Sequence, residues 1–440
     1  TKSIKNYKSR NDFYVSITLS PIIKVENGYR RLKSFSYTMK QKSNSGVETQ
    51  RNFNVITNSV LASGDWYRFY VEKSGVYALS KEFLNQLGLN VDNIDPRKIK
   101  VFGNGGRMIP FSNSVDYPSD IAENAIQILG ENDGVFNDND YILMYCEGFD
   151  NWNQENLTHL NLYATKSYYY ITVQADNGKR ISAMSTIAEP TTNTITTFDD
   201  YQFHELDLTN VVRLGRKWFG EAFDINNEQS FDFSFPNIVV ASPILINVAT
   251  VGAAFTATKF DITANGTNIG TIPFSALAQY SEQGGIEGAL SSSFSASENI
   301  TIKLKYDNGG VPNSKAYLNF ITLKSQRNLK GYGKQFRFQY DMASSLPGVG
   351  EYQFTNATSI PQIWDITDVY NVTNVENNNQ DQFSFKANLG ETRKYVALDK
   401  GDFYTPGRES QSRVANQNLK GTIFNNAQNQ FQDIDYLIIT

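Results

Sequence analysis

The sequence predicts a mainly all-β, multi-domain chain of β-sandwich or jelly-roll modules with one or two short helices. Three observations carry that expectation. Strand-favouring residues are abundant, with 25 Tyr and 29 Phe beside many Val, Ile and Thr, side chains that suit a pleated and half-buried surface. Short runs of alternating apolar and polar residues are separated by Gly, Asn and Pro turns, the spacing of antiparallel strands. The length of 440 residues exceeds what one hydrophobic core organises. No repeat with a period of roughly 20 to 50 residues stands out, which argues against a solenoid or propeller.

The first 60 residues read as two or three antiparallel strands, from Phe13-Tyr14-Val15-Ser16-Ile17-Thr18-Leu19 to Arg31-Leu32-Lys33-Ser34-Phe35-Ser36-Tyr37. Asn27-Gly28 marks the hairpin turn, because both residues tolerate positive φ. The polar stretch 41–51 reads as a loop. Trp66 to Val71 and Ser74 to Leu79 then form two strands that meet across a Gly-containing turn. Ser80 caps a helix over 81–87 that places Phe83, Leu84 and Leu87 on one face, and Gly88 supplies the left-handed stop.

Lys98 to Phe102 is a strand running into Gly103-Asn104-Gly105-Gly106, too rich in glycine for regular structure. Residues 116–128 fit either a short helix, begun after Pro118, or an extended stretch. An acidic turn from Glu131 to Asp140 leads into Tyr141-Ile142-Leu143-Met144-Tyr145-Cys146, an apolar run suited to a strand buried on both faces. Tyr168 to Val173 closes the same unit. The Ser/Thr/Pro-rich span 182–197 has little to bury and reads as a connection.

Beyond Asp199 about ten strands follow at the spacing of a sandwich. The final Tyr436-Leu437-Ile438-Ile439 reads as the first central strand of a parallel α/β domain lying further on, with the chain cut at a domain boundary. The expected organisation is a hairpin-rich segment over 1–62, a small β-rich domain with its helix over 63–185, a β-sandwich over 198–400, and a linker with the opening strand of a further domain over 401–440.

Composition narrows the function. Formal charge is −5, from 40 Lys+Arg against 45 Asp+Glu, without long blocks of either sign, so no footprint for nucleic acid exists. The cationic cluster Tyr29-Arg30-Arg31-Leu32-Lys33 reads as a solvated strand face. No run approaches the roughly 18 apolar residues of a membrane span, and the polar start has no apolar signal region. One cysteine, Cys146, excludes an internal disulfide. Abundant Asn, Thr, Ser and Tyr suit an exported bacterial surface protein.

Residues that could carry chemistry are few. Cys146 sits in an apolar strand with no His near it in sequence, the setting of a structural thiol. His159 and His204 are isolated in sequence, form no ligand motif, and read as surface or satisfied histidines. The 103–106 loop lacks the Gly-Lys-Ser/Thr ending of a phosphate loop. Asp133, Asn137, Asp138 and Asp140 offer hard oxygen ligands for a structural Ca²⁺, although their spacing departs from the twelve-residue helix-loop-helix template and equally fits an Asx-type turn. Trp152, Trp218, Phe219 and Trp364 read either as a carbohydrate platform or as sandwich-core aromatics.

Five segments together resemble the region preceding the peptidase domain in the PorU family of type IX secretion system sortases, gingipain-type cysteine endopeptidases of Bacteroidetes. They are Lys73-Ser74-Gly75-Val76-Tyr77-Ala78-Leu79; Asp95 through Gly106; Asn132-Asp133-Gly134 running to Asp140-Tyr141-Ile142-Leu143; Arg216-Lys217-Trp218-Phe219-Gly220-Glu221; and Ile363-Trp364-Asp365-Ile366-Thr367. The resemblance implies that Tyr436 to Ile439 opens a caspase-like domain, that the catalytic His and Cys lie beyond this sequence, and that no catalytic residue lies within it. It implies a parent enzyme that removes C-terminal sorting domains from cargo and joins the cargo to anionic lipopolysaccharide. Docking to the outer-membrane barrel protein PorV and other attachment-complex proteins, at the extracellular face of the outer membrane, follows from the same resemblance. The alternative reading is a free-standing carbohydrate-binding or adhesion module.

Overall fold

In a computed structural model the described residues are 2–9, 12–19, 21–25, 28–36, 58–112, 115, 117–213, 215–278 and 284–423. They are mostly strand, as the sequence predicts, with α-helix only at Lys81–Leu87 and Leu419–Ile423. Two compact units result, residues 1–55 and 56–440. In the first, Lys2–Ser9 pairs antiparallel with Asp12–Leu19, and Ile22–Val25 with Gly28–Arg31. Gly28 takes φ +133° at the start of the second hairpin's return strand, a conformation open to glycine.

The second unit is a stack of sheets whose middle strands are buried on both faces. One outer sheet has the order Arg413–Val414, Trp66–Val71, Ser167–Val173, Ile99–Phe102, Glu123–Asn124. A three-stranded sheet follows, in which Tyr141–Cys146 lies between Gly75–Ser80 and Gln127–Leu129. Alternation along Tyr141–Cys146 sends Ile142, Met144 and Cys146 into the core shared with the outer sheet and the helix, and Leu143 and Tyr145 into a different core on the opposite face. The helix Lys81–Leu87 forms as its sequence dictates: the Ser80 hydroxyl accepts the Phe83 N–H at 3.2 Å and Gly88 closes it at φ +94°. Residues 117–128 are extended, without helix.

That opposite core contains Trp364, Ile366, Val396 and Leu398, which belong to or adjoin strands Gln362–Asp365 and Lys394–Ala397 of a ten-stranded sheet. The next residues along, Ile363, Tyr395 and Ala397, face the other way into an aromatic core with Phe198, Phe336, Phe338, Tyr352, Phe354 and Phe385. The three-stranded sheet Asn193–Ile195, Val349–Phe354, Phe383–Asn388 covers that core. Further along the same ten-stranded sheet, Ile244–Ala253, Ile286–Phe294 and Lys315–Asn328 form one wall of a separate core of Ile, Leu, Val and Phe drawn from residues 223–323. Its other wall is the sheet Glu228–Ser234, Asn299–Asp307, Thr258–Ala264, Thr267–Phe274. The region predicted as one sandwich therefore holds two cores on one sheet, the second interrupting the chain of the first.

Three local expectations change. Trp66–Val71 and Gly75–Ser80 do not pair; they lie in different sheets, and residues 404–407 run between them, with Tyr404 bonded to Val76 and Ala78 and Gly407 bonded to Tyr70. Gly75 and Gly407 are needed there, since a Cβ would stand 2.6 Å from the Tyr404 ring and 2.4 Å from the Tyr70 ring. The span 182–197 is not bare connection. Ser182–Ala183 and Asn193–Ile195 pair parallel with Thr373–Glu376 and Val349–Phe354, because unpaired backbone groups find partners at sheet edges even where side chains bury little. Arg413–Val414 pairs with Trp66–Val71, so the stretch read as a linker returns to the first sheet. The apolar run 436–439 lies outside the described residues.

Candidate docking surface

The described residues 106–112, 149–163, 206–213 and 215–219 meet on one surface because a buried carboxylate fastens the 149–163 loop to the ten-stranded sheet. Glu205 ends the strand Thr197–Glu205 and is 5% exposed. It accepts the Thr158 hydroxyl at 2.5 Å and the His159 N–H at 2.8 Å, and its Oε2 lies 2.7 Å from His159 Nδ1. A buried charge survives only with such partners. The His159 ring stacks on Phe203 with centroids 4.2 Å apart and planes 8° from parallel, and Trp152 tilts over it at 4.7 Å. Thr322 Oγ1 stands 3.3 Å from Nε2. His159 is thus a satisfied histidine, and its partners make it a buried anchor between two segments distant in sequence.

From this anchor the other loops follow. The Phe111 N–H donates to Glu155 at 3.0 Å, and Asn161 Nδ2 donates to the Gly106 carbonyl at 2.9 Å. Gly106 cannot carry a side chain, since a Cβ would fall 2.3 Å from Ser167 Oγ. The Arg216 guanidinium lies 4.1 Å from the Phe111 ring centroid, a cation–π contact between the first and third loops. Leu208 and Thr209 N–H groups donate to the Phe219 carbonyl, closing the third loop on itself. The resulting surface presents Ile109, Phe111, Trp152, Tyr163, Leu208 and Trp218, each 40–73% exposed. Exposed large apolar side chains gathered on neighbouring loops make this a candidate interaction surface.

The electrostatics beneath it are those of a clamp. Burial, then the neighbouring Glu205, pushes Asp207 up to about 6. His204 Nε2 lies 2.7 Å from Glu221 Oε1; burial pushes Glu221 up, but the His204 hydrogen bond, a backbone hydrogen bond and the attraction of His204 together leave the carboxyl below its ordinary value. These pairs hold backbone segments distant in sequence against one another.

The other candidate residues are dispersed. Cys146 is fully buried and burial raises its thiol well above the ordinary range, which suppresses thiolate chemistry. In the acidic turn, Asp133 accepts from the Val135 N–H and Asn137 Nδ2, Asp140 from the Asn137 N–H, and Asp138 from Lys81 at 3.0 Å. Among the described residues no three His, Cys, Asp or Glu side chains converge as metal ligands. Around 103–106, Asn104 bonds to Asp120 and Ala122, and Gly105 adjoins Glu147, whose carboxylate is bound by Arg107. Trp364 is fully buried and Phe219 nearly so, whereas Trp152 and Trp218 reach solvent.

No family model matches the sequence, and no curated protein matches it. Solved structures do. The chain is similar in fold to the dimeric latent PorU from Porphyromonas gingivalis, with a TM-score of 0.67 and 21% identity over 83% of this chain and 34% of that one. It thus spans about a third of that protein. A CBM36 carbohydrate-binding module in complex with calcium and xylotriose aligns with 29% of this chain at 18% identity, covering 99% of the module at a TM-score of 0.20. The CBM36-1 domain of a xylanase from the hindgut metagenome of Trinervitermes trinervoides aligns with 28% at 12% identity, covering 96% of that domain at a TM-score of 0.21. What these comparisons establish is a mostly β, multi-sheet chain sharing its fold with part of PorU.

Proposed function

We propose that this chain is the non-catalytic β scaffold of a cell-surface sortase of the type IX secretion system, holding a cysteine-peptidase domain and docking partner proteins. The observation that carries the reading is the fold overlap with PorU along 83% of the chain. The parent enzyme would remove C-terminal sorting domains from cargo and attach the cargo to anionic lipopolysaccharide at the extracellular face of the outer membrane. The loop surface built on Glu205 and His159 is the docking face, and the outer-membrane barrel PorV is its partner. The similar structure is of a dimeric protein, and association with a second copy belongs to the same reading. Support for a non-catalytic role comes from the buried Cys146 thiol and from two histidines each held by a glutamate.

The test is to assay peptide-bond cleavage by this chain beside the same chain extended along its gene, and to measure binding of each to the barrel in detergent. Cleavage only by the longer form, and barrel binding that is weakened by Trp218→Ala and Phe111→Ala, is the expected result. Cleavage by the 440-residue chain itself, or tight glycan binding with no affinity for the barrel, overturns the reading.

A further inference from the structure

The inserted sandwich has two ends, and strand register fixes which loops share each of them. Lys315 stands opposite Ala253, Asp307 opposite Lys259, Glu228 opposite Lys305 and Phe223 opposite Ala316. Loops 224–227, 254–257 and 308–314 therefore leave their strands at the same end. They also touch one another. Lys315 Nζ lies 3.6 Å from Asp224 Oδ2, the Tyr306 N–H donates to the Asn227 carbonyl at 2.7 Å, and a Cβ on Gly309 would stand 2.5 Å from the Ala257 carbonyl oxygen.

Each of these loops holds out one large apolar side chain. Ile225 is 95% exposed and Phe255 72% exposed, and Val311 also reaches solvent. The segment 211–213 lies against the same end, since a Cβ on Gly284 would stand 2.5 Å from Val212 Cγ1 and one on Gly285 would meet Val251. Val212 adds a fourth exposed apolar side chain. The loops at the opposite end, 235–243, 265–266 and 295–298, expose a single one among the described residues, Val240. Apolar side chains scattered singly over a surface need no explanation, but four on adjoining loops at one end do.

The spacing of the four and the charges beside them favour one kind of partner. Loops 254–257 and 308–314 contain no charged residue, so moving their tips into an apolar phase strips no ion of water. Asp224, next to Ile225, is paired with Lys315. Arg213 and Arg216 are exposed beside Val212, and neither makes an ion pair among the described residues. A protein partner would have to offer each separate tip its own pocket, whereas the headgroup–acyl boundary of a bilayer receives them all without a matching shape. Cations flanking such tips meet lipid phosphates.

We propose that this end of the inserted sandwich is a membrane-surface contact, in which Val212, Ile225, Phe255 and Val311 enter the headgroup–acyl boundary of an anionic lipid leaflet while Arg213 and Arg216 pair with its phosphates. Four side chains make a reversible, peripheral contact rather than an anchor. It requires neither a peptidase domain nor a protein partner, so it stands apart from the scaffold reading.

Cosedimentation of the 440-residue chain with vesicles is the test, using phosphatidylcholine alone and phosphatidylcholine mixed with phosphatidylglycerol. Binding to the mixed vesicles is expected, with a partition coefficient that falls at least about tenfold when Ile225→Ser and Phe255→Ser are combined. Arg213→Gln should weaken it about fivefold, and Val240→Ser, at the opposite end, should leave it unchanged. Circular dichroism melting confirms that each variant folds. In a Phe255→Trp variant the added emission should shift to the blue on the mixed vesicles and be quenched by lipids brominated in their acyl chains. Failure to bind either vesicle overturns the proposal. So does binding that survives the combined tip substitutions and disappears at high salt, which is adsorption by charge alone, and so does an equal loss in Val240→Ser, which is unspecific sticking. None of these outcomes bears on the cleavage test of the scaffold reading.

Discussion

The 63–185 region and the inserted sandwich of residues 223–323 are attached to the rest of the molecule in opposite ways. The first has a chain break legible as a Ser/Thr/Pro-rich span, yet side chains close the gap: Val76, Leu143 and Tyr145 share a core with Trp364, Val396 and Leu398. The Gln335 side chain also doubles as a strand neighbour, accepting the Val76 N–H at 2.7 Å and donating to its carbonyl at 3.1 Å. The second has no linker at all, and its link is a continuous sheet. Its core contains no residue of the aromatic core beside it. Composition of the connecting chain therefore does not report mechanical independence; what decides it is whether apolar side chains or only backbone hydrogen bonds cross the boundary.

Trp364→Ala strikes the first attachment hardest. Removing this fully buried indole should cost about 3–5 kcal/mol, read by urea denaturation. Hydrogen exchange should quicken in both Tyr141–Cys146 and Lys394–Ala397, because one core serves both. If only one of the two strands loses protection, the regions are separable and the contrast collapses. Phe260→Ala should cost about 3–4 kcal/mol, since the ring is fully buried and meets Phe223 edge-on at 4.8 Å. Its exchange signature should stay within 228–323 and leave Tyr141–Cys146 slow.

Arg327 sharpens the contrast, being a side chain at the seam of the two sandwiches. It is 3% exposed, lies 2.8 Å from Asp200, donates to the Pro236 carbonyl at 2.6 Å, and sits within 5.7 Å of the Phe198, Tyr332 and Phe336 ring centroids. Arg327→Ala should cost about 2–4 kcal/mol by stranding Asp200 and emptying the cation–π site. It should also let the inserted sandwich open independently, seen as a second transition in calorimetry. Arg327→Lys should recover only part, because a compact ammonium cannot make the planar fork contacts.

The smallest effect concerns the loop surface. Asp207 has its folded value pushed up to about 6, above the roughly 3.9 of an unfolded aspartate. The folded state therefore holds more protons than the unfolded state between those values. Stability is undiminished at the low end and falls as pH rises towards 6, with the full cost present above it. Asp207→Asn should remove that slope and raise stability at pH 7 by about 1 kcal/mol, solvent screening of this half-exposed group having been allowed for. A melting temperature with the same pH slope in both proteins would show that Asp207 is not the group responsible.

Much of the strand content was legible because period-two alternation is a local property of the chain. Tyr141–Cys146 announced a strand buried on both faces, and Ser80 with Gly88 announced both ends of the helix, since caps act within a few residues. The loop surface was legible only in fragments. Its aromatics stood out, but Glu205 and His159 lie 46 residues apart in sequence, and no local pattern announces a carboxylate that pins a distant loop.

By itself, then, the sequence determined that the chain is β-rich, aromatic, without a disulfide framework and without a thiol poised for nucleophilic attack, because these depend on residue types and near-neighbour spacing. Tertiary structure alone decided which core each face of a strand enters, that residues 404–407 separate two consecutive strands, and that the 198–400 region carries two cores on one sheet. Each of these is a pairing between residues far apart in sequence. Strand alternation says that two faces differ, but what covers each face is settled only when the whole chain competes for it.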